Sequence, residues 1–324
     1  MIKLDYKKGS DIMSIRKKYL LQTILFVVIF TGLLLIATFF DKEISIILVH
    51  GSIPDGKFYS TDPIGRFVEY IGSYPIFLLG IFACLVFMHR IYRLEDKRKY
   101  LALIFVIVIV VVSNKCLSDT VKYFCRNHEI EHIYDATLTT IILWVLSVLV
   151  SVVMIYFYRK VDHNKNDKMI KLSLVIVITC IAYALIPIIK SPVGRMRYRA
   201  MELIDNFDYY TPWYVISEAK DLLKDMTQIP SDGFKSFPSG HTCSAGIIYA
   251  LICMPYAFEK FNTKKWRVLW YVIPILFTGF VATYRIVVGA HFMSDVLVGG
   301  TLSYIFAELG KYFVFVKKNK EISR

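Results

Sequence analysis

Long apolar runs recur along the whole chain, and they constrain its fold more than any other feature. A helix that crosses a lipid bilayer needs about 20 predominantly apolar residues, and about eight stretches approach that length. The sequence therefore predicts an all-α fold, a polytopic bundle of membrane-spanning helices. The predicted spans are Leu20–Phe40, Tyr74–Met88, Leu101–Ser118, Thr139–Tyr158, Leu172–Ile189, Cys243–Phe258, Leu269–Tyr284 and Phe292–Val314.

The first apolar run has two interpretations, a removed signal peptide or a retained anchor. The run is longer than the core of a typical signal peptide, and no convincing small-residue cleavage site precedes Asp41. These two observations favour the retained anchor.

Basic residues concentrate in every second connection between the predicted spans. The positive-inside rule assigns such connections to the cytoplasm, so both termini are predicted to be cytoplasmic. This topology explains why the chain is rich in basic residues and carries a net charge of +13. No basic segment carries a nucleic-acid recognition motif. A nucleic-acid partner is therefore not predicted. The basic residues are Lys3, Lys7, Lys8, Arg16, Lys17, Lys18, Arg90, Arg93, Lys97, Arg98, Lys99, Arg159, Lys160, Lys165, Lys168, Lys171, Lys260, Lys264, Lys265, Arg267, Lys317, Lys318, Lys320 and Arg324.

Three polar stretches lie at ends of predicted spans, all on the predicted outer side. They are KSPVGRMRY at residues 190–198, PSGH at residues 238–241 and RIVVGAHFMSD at residues 285–295. Ionisable groups at such depths are costly and usually face a cavity or a polar partner. One isolated Lys or Arg there would be explained by snorkelling to the interface. The concentration on one side favours a functional site.

The three stretches, taken in order, resemble the signature of the type 2 phosphatidic acid phosphatase (PAP2) superfamily. The first element of that signature is Lys, six residues, then Arg-Pro. Here Lys190 and Arg197 match it, and Tyr198 stands in the place of the proline. The second element, Pro-Ser-Gly-His, is matched in full by residues 238–241.

The third element of the signature is Ser-Arg, five residues, His, three residues, Asp. Arg285, His291 and Asp295 match it, with Tyr284 in place of the serine. The resemblance covers the chain from about Leu172 to Val314 and implies a six-helix core. We expect residues 1–100 to be an N-terminal transmembrane addition and residues 101–324 to be the PAP2-like catalytic membrane domain.

The matched cations suit phosphoryl transfer, which proceeds mainly by positioning and by electrostatic stabilisation of the phosphoryl oxygens. We expect Lys190, Arg197 and Arg285 to bind phosphate, since guanidinium groups hold it in a bidentate fork. Ser239 and Gly240 are expected to start a helix, where free backbone N–H groups favour an anion.

His291 is the predicted nucleophile, which would form a phosphohistidine. Asp295, four residues on, would share a helix face with it and fix its tautomer. His241 would protonate the leaving oxygen and then activate water. An isolated His–Asp pair is often structural, but the neighbouring cations favour catalysis and would repel a metal ion. No metal and no cofactor are therefore predicted.

Arg195 and Arg199 have two interpretations, contact with substrate or headgroups and simple marking of the membrane interface. The interface interpretation is slightly favoured.

The predicted function is a metal-independent membrane phosphatase that acts on a lipid phosphate or diphosphate, with its active site outside a plasma membrane, by preference bacterial. Its partners would be the lipid phosphate substrate and membrane lipids. A lipid phosphotransferase would share the phosphohistidine, and a transporter or scramblase of anionic lipids would need neither histidine. The sequence does not choose among phosphatidate, phosphatidylglycerophosphate and polyprenyl diphosphate, and it does not give the oligomeric state.

Overall fold

The computed structural model describes residues 10–94, 97–160, 166–223 and 225–317, and the regular structure within these ranges is entirely helical. This confirms the all-α class. Several basic residues used for the topology prediction lie outside these ranges, namely Lys3, Lys7, Lys8, Lys165, Lys318, Lys320 and Arg324.

The α-helices are numbered in chain order. They are α1 (Ser10–Val49), α2 (Pro63–Ile71), α3 (Tyr74–Tyr92), α4 (Ala102–Asn127), α5 (Glu131–Asp135), α6 (Thr137–Arg159), α7 (Asn166–Val193), α8 (Tyr198–Leu203), α9 (Ala219–Leu222), α10 (Gly240–Gly246), α11 (Met254–Ala257), α12 (Lys264–Val287) and α13 (Met293–Lys311). Short 3₁₀ turns occupy Lys97–Leu101, Phe207–Tyr209, Ser231–Phe234, Ile247–Cys253 and Glu259–Phe261, and a π-helical turn follows α13 at Tyr312–Lys317.

Within the described ranges, 6 helical stretches are long and apolar enough to cross a membrane. Their apolar side chains point largely away from the protein, since only 6% of the most apolar window of the first stretch is buried and 39% of that of the fifth. Such outward-facing apolar belts fit a lipid environment. The six stretches are Leu20–Val49, Pro63–Tyr92, Lys97–Asn127, Thr137–Arg159, Asp167–Leu203 and Lys264–Val287.

The other two predicted spans fall on helical segments that are not among these six. The sixth predicted span is broken into α10, a 3₁₀ turn and α11, and the eighth covers α13 and the π-helical turn. Much of both segments is buried among the other helices. A helix enclosed by protein does not need an apolar surface all round, which is why its composition gives a weaker hydropathy signal.

The first helix extends well past its predicted end at Phe40 and reaches Val49. The prediction ended there because Asp41 is charged. In the structure Asp41 is buried, at 1% exposure, and its carboxylate is paired inside the protein. A paired acidic residue can therefore remain within the helix.

The centre of the bundle is formed by α7, α10, α12 and α13, with α1 packed against α13 and α3 packed between α4 and α7. Small residues line the buried side of α13, namely Gly299, Ser303, Ala307 and Gly310. Their spacing of three to four residues lets neighbouring helices approach closely. At Gly299 a Cβ atom would overlap the carbonyl oxygen of Ser239, so α13 fixes the position of the PSGH turn.

Candidate active site

The first polar stretch follows the last turn of α7, which carries a partly exposed Lys190. Gly194 adopts φ +61°, a left-handed conformation that ends the helix, and residues 195–197 continue as extended chain. Backbone hydrogen bonds tie this extended piece to the loop before PSGH. Arg197 N–H donates to the carbonyl of Gly233 at 2.7 Å, and Ser236 N–H donates to that of Arg195 at 2.9 Å.

The second stretch forms the start of α10, as expected. Ser239 is the N-cap residue, and its hydroxyl accepts a hydrogen bond from Thr242 N–H at 3.3 Å. Ser239 N–H donates to the carbonyl of Asp295 at 3.0 Å, which joins this turn to α13. His241 Nε2 lies 3.0 Å from the hydroxyl of Tyr123 on α4, so Tyr123 orients its ring.

The third stretch begins with Arg285 in the last turn of α12, and the chain then folds back on itself. Gly289 adopts φ +63°, and a Cβ atom there would lie 2.7 Å from Ile53 and 3.1 Å from the Cβ of Arg199. Glycine therefore allows a close approach at this turn. The backbone N–H of Arg199 donates to the Gly289 carbonyl at 3.0 Å, and His291 N–H donates to that of Arg285 at 3.2 Å.

The side chains of His291 and Asp295 lie next to each other. The prediction that both residues lie on one face of a helix is wrong, however. Because α13 begins at Met293, His291 lies in the preceding turn. Its Nδ1 is 3.7 Å from Asp295 Oδ2, which is longer than a hydrogen bond. The carboxylate thus faces the Nδ1 side of the ring and leaves Nε2 as the nitrogen available for chemistry. His291 is 1% exposed.

Three neighbours hold the Asp295 carboxylate in place. Oδ2 accepts hydrogen bonds from the hydroxyl of Ser236 and from Phe292 N–H, the latter at 2.8 Å. Oδ1 accepts from Arg195 Nη1 at 2.7 Å, and that Nη1 also donates to the hydroxyl of Ser294 at 2.8 Å. The orientation of Asp295 is therefore fixed by charge and by packing.

Arg195 does not mark the membrane interface, so the favoured interpretation of this residue is wrong. It is fully buried, and Nη2 donates to Asp41 Oδ2 on α1 at 3.0 Å. Asp41 in turn accepts the backbone N–H of Ser294 at 2.9 Å. Arg195 therefore bridges two carboxylates, Asp41 and Asp295, and connects α1 to the carboxylate that faces His291.

Arg199 is also buried, at 1% exposure, so the interface interpretation is wrong for this residue as well. Asp232 Oδ2 accepts from Arg199 Nη2 at 3.1 Å and lies 3.1 Å from Arg197 Nη1. Burial by itself would raise the pKa of Asp232, but the two arginines outweigh burial and hold that pKa below its usual value. Asp232 therefore stays ionised between Arg197 and Arg199.

Another buried carboxylate pairs with Arg285, the third of the predicted phosphate-binding cations. Glu69 on α2 is 4% exposed and accepts from Arg285 Nη1 at 2.8 Å, while its other oxygen binds Arg126 on α4. Arg126 stacks between Tyr59 and Tyr123, with its guanidinium carbon 4.2 Å and 4.8 Å from the two ring centroids. The segment between α1 and α3, which includes α2, thus contributes a buried ionic group.

His291 lies among groups that keep its ring uncharged. Burial lowers the pKa of His291 well below its ordinary value, Asp295 opposes that shift, and the charges of Lys190, Arg197 and Arg285 reinforce it. A neutral imidazole retains the lone pair that a nucleophile needs.

All the residues predicted from the three stretches come to one end of the bundle. Lys190, Arg197 and Arg285 act electrostatically on His291, and Arg197, Arg285 and His291 act on His241. Gly240 lies at the start of α10, but the packing there does not require a glycine. A Cβ atom at this position would have its nearest neighbours at 3.6 Å or beyond, which is ordinary contact distance. Sequence reasoning missed Asp41, Glu69, Tyr123, Arg126, Asp232 and Ser236.

The fold and the site together define a polytopic membrane protein with a buried cluster of phosphate-type cations around two histidines. The model of the PAP2 superfamily matches residues 170–319, which include all three stretches. This segment is therefore similar to the PAP2 superfamily, whose members are generally phosphatases. No solved structure gives a significant match to the chain.

Proposed function

We propose that the protein is a membrane phosphatase that hydrolyses a lipid phosphate or diphosphate through a phosphohistidine on His291. One observation carries the proposal. A buried histidine faces a fixed carboxylate on one side, and the positive charges of Lys190, Arg197 and Arg285 act on it. A scaffold or a lipid transporter would need the cations but not this pair.

In the first step the Nε2 lone pair of His291 attacks phosphorus, and the bond from phosphorus to the leaving oxygen breaks. His241 donates a proton to that oxygen. In the second step His241 takes a proton from water, the water oxygen attacks phosphorus, and the P–N bond breaks to release phosphate. Lys190, Arg197 and Arg285 neutralise the charge on the phosphoryl oxygens in both steps. Asp295 stabilises the cationic form of His291 after attack.

The substrate is a membrane lipid because the site lies at the ends of helices that are long and apolar enough to span a bilayer. Headgroup phosphates lie at that level. The alternation of basic connections supports an orientation in which this end lies outside a plasma membrane.

Phosphate release by purified protein tests the proposal. The assay uses phosphatidate, phosphatidylglycerophosphate and polyprenyl diphosphate in detergent micelles, with the His291→Ala variant as the control for contaminating phosphatases. We expect release from at least one lipid, undiminished by EDTA and inhibited by vanadate, because protein cations replace a metal ion. Loss of activity in EDTA that magnesium restores would contradict the mechanism. Absence of release from every lipid by folded protein would contradict the function.

A further inference from the structure

A hydrogen bond to His241 comes from a residue outside the segment that matches the PAP2 model. Tyr123 lies in the last two turns of α4, whereas the match covers residues 170–319. Its hydroxyl lies 3.0 Å from His241 Nε2, and the two ring centroids are 5.6 Å apart. Cδ2 of the same imidazole faces Gly72, where an added Cβ atom would lie 3.6 Å from it. The Nε2–Cδ2 edge of His241 is thus occupied, and Nδ1 is the nitrogen left for a leaving oxygen.

His241 is held neutral, although its proposed role is to give up a proton. Burial lowers the pKa of His241 well below its ordinary value, Arg285 and Arg197 reinforce this shift, and Glu69 opposes it. The negative charge of a phosphoryl group would be neutralised by the same arginines and by Lys190. A neutral imidazole carries a single proton, and its loss would leave an anion. His241 alone is therefore a poor acid.

The hydroxyl of Tyr123 removes this difficulty. Nδ1 must carry the single proton of His241 in order to donate it, so Nε2 then has a lone pair and accepts the Tyr123 O–H. A phenol has a pKa of about 10 and is more acidic than a neutral imidazole or the alcohol of a lipid ester. The two side chains therefore form a line along which a proton can reach the leaving oxygen.

Charges of both signs act on Tyr123, and its carboxylate neighbours are already paired. Its interactions are with Arg126 and Asp119 on α4, Glu69 on α2 and Arg285 on α12. Glu69 binds both arginines, and Asp119 pairs with a lysine one turn earlier on α4. The guanidinium carbon of Arg126 lies 4.8 Å from the Tyr123 ring centroid. A tyrosinate here would form beside a cation rather than beside an unpaired carboxylate.

We propose that Tyr123 is the proton source of the reaction and that it acts through His241. As the bond from phosphorus to the leaving oxygen breaks, the Nδ1 proton of His241 moves to that oxygen. The hydroxyl proton of Tyr123 moves to Nε2, which keeps the imidazole neutral and leaves a tyrosinate. Tyr123 is thus a positioning residue that also sets the tautomer of His241.

The second step restores both side chains. Nδ1 of His241 takes a proton from the attacking water, and Nε2 returns its proton to the tyrosinate. The water oxygen bonds to phosphorus, the P–N bond breaks, and its electron pair returns to Nε2 of His291. This inference rests on the proposed function and adds to it the origin of the proton.

The first test compares two leaving groups in a single turnover. Octyl phosphate releases an alkoxide that needs a proton, and nitrophenyl phosphate releases an anion that does not. Tyr123→Phe should slow octanol release by about 10²-fold or more, as expected for loss of general acid catalysis, and should largely spare the nitrophenol burst. In a His241→Ala background, Tyr123→Phe should have no further effect, because its route to the leaving oxygen is gone.

Tyr70 provides a matched control for the loss of a hydroxyl. Its ring packs edge-on against that of Tyr123, with centroids 6.4 Å apart, and its hydroxyl accepts a hydrogen bond from Asn127 Nδ2 at 3.2 Å. Tyr70→Phe should keep the wild-type ratio of octanol to nitrophenol release. Equal ratios for Tyr123→Phe and Tyr70→Phe would overturn the proposal.

The second test separates proton supply from simple orientation of the ring. Replacing Tyr123 by 3,5-difluorotyrosine keeps the hydroxyl and the fold but lowers the pKa of the phenol. The proposal requires a protonated phenol, so activity is present below that pKa and is lost as pH rises through it. The alkaline limb of the octyl phosphate profile should therefore move to lower pH. The same replacement at Tyr70 should leave the limb in place.

The outcomes distinguish this inference from the proposed function. An unmoved alkaline limb, with a normal nitrophenol burst, would leave the phosphatase function standing and overturn the role of Tyr123. Absence of a burst from both esters with folded wild-type protein would overturn the proposed function and this inference with it.

Discussion

At the scale of single residues, the two histidines differ in their surroundings in a way that agrees with their proposed roles. His291 is 1% exposed and faces Asp295, whose position is fixed by Arg195 and Ser236. His241 is partly exposed and is held by the hydroxyl of Tyr123. A nucleophile benefits from burial and a fixed tautomer, whereas a group that exchanges protons with a leaving oxygen and with water needs access.

The difference predicts how each histidine variant responds to the leaving group. His291→Ala should abolish turnover of every phosphate ester, because no leaving group replaces the attacking nitrogen. His241→Ala should lose about 10²–10⁴-fold on a lipid ester, whose alkoxide needs a proton. On a nitrophenyl ester the first step should be largely spared, because nitrophenolate leaves without one. The measurement is a single-turnover burst of nitrophenol with each purified variant.

A steady-state rate would hide this contrast, since His241 also serves in the second step. The thermal transition of each variant in detergent controls for folding. A nitrophenol burst from His291→Ala, with no burst from His241→Ala, would show that the roles are reversed.

The site residues that could be predicted from the sequence lie in short motifs, whereas those that were missed depend on contacts with residues far away along the chain. Ser239 and His241 stand within one short motif, and a motif can be recognised along the chain. Glu69 pairs with an arginine 216 positions away, and Asp41 with one 154 positions away. One acidic residue in an apolar segment gives no local sign of which distant cation it will meet.

At the scale of elements, α13 determines how the three polar stretches meet. Its N-terminal turn carries Asp295, and one turn later Gly299 lies against the backbone of Ser239. The neighbouring Gly300 faces only the methyl groups of Thr278 and Thr242, which would lie 3.3 Å and 3.4 Å from an added Cβ atom. The two adjacent glycines therefore provide a matched pair.

We predict opposite outcomes for alanine at these two positions. Gly299→Ala should destabilise the protein by about 1–3 kcal/mol, as for other overpacked sites, and should lower activity because it displaces the PSGH turn. Gly300→Ala should be close to neutral, since side-chain methyls can yield and alanine is worth about 0.5–1 kcal/mol over glycine within a helix. Thermal unfolding in detergent and phosphate release measure both effects. A Gly299→Ala variant as stable and active as Gly300→Ala would refute the close packing.

At the scale of the whole molecule, the alternation of basic connections predicts the topology, with the site on the outer side. We predict that Lys220→Cys on α9 reacts with a membrane-impermeant thiol reagent in intact cells, and that Lys260→Cys between α11 and α12 does not. Both side chains are exposed in the structure. Each variant is made in a background without the six native cysteines.

Permeabilised cells provide the control, because Lys260→Cys should then react as well. Labelling of Lys260→Cys but not Lys220→Cys in intact cells would place the active site in the cytoplasm and overturn the localisation.

Hydropathy predicted the lipid-facing helices well and the enclosed ones poorly. The outward side chains of Leu20–Val49 and Thr137–Arg159 must be apolar because lipid surrounds them, so composition reveals the span. The segment around Ile247–Cys253 is surrounded by protein, and its helix is interrupted by a 3₁₀ turn that no hydropathy window detects. The boundary at residues 100 and 101 stays a prediction, although side chains from residues 1–100 enter the site.

The pairing of Asp41 with Arg195 and of Glu69 with Arg285 has a consequence for biosynthesis. The chain is made from its N-terminus, so each of these acidic residues enters the membrane before the arginine that it neutralises. Arg195 follows the end of α7 and Arg285 lies in the last turn of α12, and ionisable groups at such depths are costly without a partner. When these two segments leave the ribosome, the carboxylates that neutralise them are already in the membrane, so the order of synthesis itself lowers the barrier to assembling a charged site there.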